Sequence, residues 1–200
     1  GEIVTSLADR SEGYADIALA WCAAAAFAAL AALAFAPDFY LHLYERLAGG
    51  WVHEWTPRDV LLLALAVATL KFAGTWLLLL WQPLRLALVP APIKSARVRA
   101  RAVANFRIGA ERRTHGRTGI LIYLSMREHR AEIVADEAIA GKVAPEVWGD
   151  AMLAMIGHIR EGRVAEGMCA AVEQVGAVLA QHFPRAADDQ NELPDRLIEI

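Results

Sequence analysis

Hydrophobic positions along this chain follow two different patterns. From Ile17 to Ala36 twenty consecutive residues carry no charge, and from Val60 to Trp81 a second apolar run is broken only by Lys71. Neither run has a polar face. About twenty apolar residues at 1.5 Å per residue cross a hydrocarbon layer of about 30 Å, so the pattern predicts two transmembrane helices over roughly 17–36 and 60–81, paired as a hairpin within residues 15–92. The alanine-rich first span (Ala23 to Ala26, Ala28, Ala29, Ala31, Ala32) lets a second helix approach closely. Between the spans, Pro37 to Asp59 is a connector rich in aromatics (Phe39, Tyr40, Tyr44, Trp51, Trp55), which suits the headgroup level. Thr56-Pro57-Arg58-Asp59 is an amino-terminal cap with proline at the first helical position.

Outside the spans the pattern is that of a soluble domain. Glu2 to Ala8 is short and rich in branched residues, a strand with apolar side chains on both faces (Ile3, Leu7; Val4). Thr118 to Ser125 (TGILIYLS) is a nearly continuous apolar run, the mark of a central strand covered on both sides. A polar turn, Met126 to Arg130, leads into a second strand over Ala131 to Ala135, so the pair forms a hairpin. Two amphipathic helices follow. Trp148, Met152, Met155, Ile156 and Ile159 share one face of the first, and Val164, Met168, Val172, Val175 and Leu179 one face of the second. Strands flanked by such helices make a layered α/β domain.

Charge adds orientation. The net charge of −3 conceals a segregation: Lys94 to Arg117 holds eight basic residues against Glu111 alone, while Asp188 to Ile200 is acidic. A cationic block beside a membrane exit marks the cytoplasmic side. Both termini are therefore expected inside the cell and the connector outside, in an integral protein of the bacterial inner membrane. Lys94, Arg97 and Arg101 recur at helical spacing and are candidates for anionic lipid headgroups or a protein partner; no recognition fold for nucleic acid accompanies them. Lys71, costly inside a bilayer, must face a partner helix, an oligomer contact, water, or the interface by snorkelling. Cys22 lies in a span and Cys169 in a helix, so no disulfide framework is implied. The chain begins at Gly1 directly on strand-like sequence, which reads as an amino terminus missing an upstream part.

Familiar catalytic patterns are absent. Ser125 lies near His129 without an evident third group or G-x-S-x-G elbow. His115, His129, His158 and His182 lack zinc spacing. Gly116 to Gly119 lacks the lysine of a phosphate loop.

One resemblance is specific. The run GRTGILIYLSMREHRAEIVADEAI, the helix with Trp148, the segment EGRVAEGMCAAVEQVGAVLAQHFP and the closing DDQNELPD together resemble the second half of a TPM domain, while GEIVTSLADRSEGYAD resembles a strand of its first half. That family includes a plant thylakoid protein and many bacterial membrane and secreted proteins. The resemblance implies a TPM-like α/β/α sandwich interrupted by a two-helix transmembrane hairpin: residues 1–14 as the first-half strand, 93–200 as the remainder. It also implies a helix before the first strand, which this chain lacks. Because a plant member is described as a calcium-binding acid phosphatase, the carboxylates of Asp136, Glu137, Asp188 and Asp189 become candidate ligands for Ca²⁺ or Mg²⁺, hard ions that prefer oxygen. Two readings stay open. One is a non-enzymatic binding or assembly/maintenance factor for a membrane complex, working through a membrane-protein partner or as a homo-oligomer; the other is a metal-dependent acid-phosphatase-like hydrolase.

Overall fold

The computed structural model describes residues 2–47, 55–109, 118–184 and 197–199. The chain divides into two compact units, Tyr14–Pro90 and a second made of Gly1–Gly13 with Ala91–Ile200.

The second unit is built on a sheet of order β3-β2-β1-β4, with β1 over Glu2–Ala8, β2 over Gly119–Ser125, β3 over Arg130–Ala135 and β4 over Ile198–Glu199. β1 runs parallel to β2 in the register Glu2↔Gly119 through Ala8↔Ser125, and β2 pairs antiparallel with β3. All seven residues of β2 are buried, as its continuous apolar sequence predicts. Alternation along the strand sends its side chains to opposite faces. Ile120, Ile122 and Leu124 join Trp148, Met155, Met168, Val175 and Leu179 in one core, whereas Leu121 and Tyr123 join Val4, Ala8, Val98, Ala102 and Phe106 in another.

The first core belongs to α7 (Trp148–Arg160) and α8 (Val164–His182), preceded by the four-residue helix α6 (Glu137–Ala140) and a 3-10 turn over Pro145–Val147. The second belongs to α5 (Ala91–Gly109). A sheet between α5 and the α7/α8 pair is the expected α/β/α sandwich. Helix α5 is thus the crossover that returns the chain from β1 to its parallel neighbour β2, so the segment bearing Lys94, Arg97 and Arg101 is a packed layer of the domain. Two glycines set the other layer. Gly162 turns the chain between α7 and α8 at φ +77°, and a Cβ on Gly167 would stand 2.8 Å from the Met155 carbonyl oxygen, so hydrogen at that position is what lets the two helices approach.

The unit Tyr14–Pro90 contains α1 (Ala15–Phe35), α2 (Pro37–Leu47), α3 (Pro57–Leu79) and α4 (Gln82–Ala87). The long helices coincide with the expected spans within two or three residues, and both are long and apolar enough to cross a membrane. Thr56 and Asp59 form a capping box: the Asp59 amide donates to the Thr56 hydroxyl at 3.3 Å, and the Thr56 amide to the Asp59 carboxylate at 3.2 Å. Ala18 and Cys22 of α1 pack on Leu79 of α3, with Trp76 and Leu84 around them. At the other end the Trp55 indole donates to Glu45 of α2 at 2.8 Å and lies edge-on to Tyr44. Most remaining apolar side chains of the hairpin are uncovered, Phe27 and Leu61 each to 70%.

Candidate functional site

Because β1 and β2 are parallel and in register, their carboxyl ends coincide at Ala8 and Ser125, the end at which open α/β sheets place ligands. There the turn between β2 and β3 clasps the chain leaving β1. The amides of Met126 and Arg127 donate to the carbonyls of Ala8 and Asp9, each at 3.0 Å, and the Arg127 guanidinium pairs with the Asp9 carboxylate at 2.9 Å. Beneath them lies a buried polar network. Glu128 accepts the Ser11 amide at 2.9 Å and the Ser125 hydroxyl at 2.5 Å, and the Ser11 hydroxyl reaches both Ser125 and the Tyr123 phenol at 3.1 Å. Burial pushes the Tyr123 phenol above its usual pKa, against the opposing effect of the Ser11 hydrogen bond.

Ser125 is completely buried and engaged by Glu128, while His129 is exposed at φ 50° in the turn. The serine–histidine proximity seen in sequence thus becomes a serine–glutamate hydrogen bond. Neither Ser11 nor Glu128 was legible as a partner beforehand. They lie 117 residues apart, and no local pattern announces a pairing across such a separation.

Asp136 and Glu137 occupy the opposite end of β2. The Asp136 amide donates to the Gly119 carbonyl at 2.9 Å, and its carboxylate accepts the Glu137 amide at 3.2 Å, capping α6. The other carboxylate oxygen, Oδ2, is buried without a hydrogen-bond partner among the described residues. Six residue steps of about 3.3 Å separate Gly119 from Ser125, so about 20 Å lies between this aspartate and the Ser125 network, and the two cannot form one centre. Asp188 and Asp189 lie outside the described residues. Among the described residues no three His, Cys, Asp or Glu side chains gather as a metal site would require. A calcium ion takes six to eight oxygens, more than Asp136 and Glu137 supply by themselves.

On α5, Arg97 pairs with Glu12 at 2.5 Å and Arg99 with Glu132 at 3.3 Å, while Lys94 is half-buried and Arg101 exposed. Lys71 stands on α3 facing a groove shared with α1 and α2.

With the sandwich and its ends described, it can be compared with known proteins. Residues 93–178 match the TPM domain family. The matched stretch begins in α5 and ends in α8, and the α/β/α unit that contains it also takes in β1, which lies on the far side of the hairpin in sequence. Among solved structures, the BA42 protein from the psychrophilic bacterium Bizionia argentinensis, determined by NMR, is 27% identical over 51% of this chain and 70% of that one, with a TM-score of 0.48. No curated protein matches the chain.

Proposed function

We propose that this chain is an integral protein of the bacterial inner membrane whose TPM domain, on the cytoplasmic side with both chain ends, binds a partner in the assembly or maintenance of a membrane complex. The observation that carries this reading is the pairing of an α/β/α unit that buries its own apolar residues with two long helices that do not. The cation excess between Arg85 and Arg107, against only Arg46 and Arg58 around the connector, supports the orientation. At the carboxyl end of the sheet, the most reactive-looking hydroxyl is held by Glu128 in a buried network that braces the chain leaving β1. That is the chemistry of a brace. The partner is another membrane protein, a second copy, or the anionic bilayer surface reached through Lys94 and Arg101.

Extraction decides the anchoring: the chain stays with the membrane in alkaline carbonate and leaves only in detergent. Cysteine labelling decides the orientation. Ala48→Cys reacts from outside intact cells and Asp189→Cys only after the membrane is opened; the reverse result rejects the topology.

The buried Oδ2 of Asp136 favours a second reading, a Ca²⁺- or Mg²⁺-dependent phosphatase, in which Asp136 and Glu137 would contribute ligands and the ion would supply charge stabilisation at the phosphoryl group. Phosphate release from p-nitrophenyl phosphate with Ca²⁺ or Mg²⁺ tests it. Turnover that Asp136→Asn abolishes in a folded protein selects the enzyme; no turnover with either ion leaves the binding role.

A further inference from the structure

Between α1, α2 and α3 lies a groove of about 580 Å³, within the range of about 300–1,000 Å³ that small-molecule sites occupy. Its floor is made by Ala25, Ala28, Ala29 and Ala32 of α1, which contribute only methyl groups and so leave the space open. Leu63 and Val67 of α3 and Leu43 and Leu47 of α2 form its walls. Polar groups enter at defined places. Lys71 and Thr75, one turn apart on α3, mark one end, and Tyr40 and Tyr44 come from α2. From Leu63 to Thr75 the groove follows α3 for about 18 Å at 1.5 Å per residue.

Lys71 has no hydrogen bond or ion pair among the described residues, and it stands about 12 Å inside the Leu79 end of α3. In a bilayer that position is hydrocarbon, where an uncompensated ammonium is disfavoured. The hairpin holds no remedy, because neither apolar run, 17–36 or 60–81, contains an Asp or Glu. A second copy docking its spans in the groove would bring another Lys71 and no carboxylate. A foreign spanning helix could carry one, and the crosslinking arm of the test below reports it. The occupant that fits one uncompensated cation at the end of an apolar, methyl-floored groove is a single acyl chain with an anionic head.

We propose that the groove between α1, α2 and α3 binds a long-chain acyl carboxylate, its tail along the alanine floor and its head paired with Lys71 beside the Thr75 hydroxyl. A carboxylate carries the single negative charge that one ammonium neutralises, and charge-assisted hydrogen bonds gain strength away from water. This inference rests on the membrane reading above.

The test titrates the full chain, in nanodiscs of phosphatidylcholine, with the fluorescent fatty acid cis-parinarate and then displaces it with palmitate or hexadecanol. Saturable binding displaced by palmitate and not by hexadecanol is expected, weakened about tenfold or more in Lys71→Gln and retained in Lys71→Arg. Ala28→Phe, which fills the floor and leaves Lys71 in place, abolishes it while circular dichroism stays unchanged. Equal binding by Lys71→Gln or Ala28→Phe, or equal displacement by hexadecanol, overturns the proposal. So does a disulfide-linked dimer through Ala28→Cys, or a photocrosslink from position 75 to another membrane protein, since either names a different occupant. Carbonate extraction separates the two failures: release from the membrane rejects the anchoring and the site together, whereas retention without palmitate binding rejects the site alone.

Discussion

The α/β/α unit and the hairpin use the same apolar residue types and treat them in opposite ways. In β2 every side chain is buried, between α5 on one face and α7 with α8 on the other. In α3 Leu79 is buried, while Leu61, Leu65 and Leu70 stand 70%, 64% and 73% exposed. The unit hides apolar surface inside itself, and removing such surface from water contributes about 25 cal/mol per Å². The hairpin leaves the same surface outside, which is stable only where the surroundings are as apolar as the side chains. Composition alone therefore does not tell a core from a span; what surrounds each segment does.

The strongest challenge to this contrast is a matched pair of truncations. Ile122→Ala removes a fully buried side chain and should cost about 2–5 kcal/mol, whereas Leu65→Ala should change stability by less than about 0.5 kcal/mol. Urea unfolding of the full chain in nanodiscs, read by hydrogen exchange of the β2 amides for the first and of the α3 amides for the second, measures both. Equal losses would mean that α3 is packed like a core helix, and the contrast would collapse.

A smaller effect probes how tightly the α/β/α unit is packed. Gly167→Ala drives a methyl toward the Met155 carbonyl 2.8 Å away, and overpacking of this kind costs about 1–3 kcal/mol. Gly74→Ala on α3, where nothing lies within 4 Å of the added carbon, should cost nothing and stabilise the helix by up to about 1 kcal/mol, read by exchange of the α3 amides.

Tyr123 sharpens the comparison through pH. Its folded pKa is raised, mainly by burial, so the unfolded chain loses the phenol proton first. The associated stability is complete below the unfolded tyrosine value of about 10 and is lost as pH rises through the folded one. Tyr123→Phe should lower neutral-pH stability by about 1 kcal/mol, through the lost Ser11 hydrogen bond, and flatten the alkaline decline. An unchanged alkaline slope would show that the phenol is not held in the network.

Arg97→Ala should have only a small effect. Its pair with Glu12 is partly exposed, and such pairs contribute about 0–1 kcal/mol, less at high salt. A larger loss would make that pair a structural tie between α5 and the chain leaving β1.

Much of the architecture could be read beforehand because it is written in local periodicity. The two long apolar helices, the central strand Gly119–Ser125, the hairpin into Arg130–Ala135 and the capping box at Thr56 all follow from neighbours within a few residues. Asp136, a candidate ligand by its place after the second strand, accepts the Glu137 amide and caps α6. The role of α5 was hidden by its charge: its arginines suggested a lipid-facing helix, while Val98, Ala102 and Phe106, spaced four apart on the opposite side, cover a sheet face.

By itself, then, the sequence determined which segments are apolar all round, which alternate and which are amphipathic, since those properties depend on spacing along one chain. Only the tertiary structure decided that β1 lies beside β2 across the whole inserted hairpin, that Ser11 meets Glu128, and that Lys71 opens onto an alanine-floored groove. Those contacts join residues dozens to more than a hundred positions apart, and such proximity is a property of the folded backbone that no local pattern encodes.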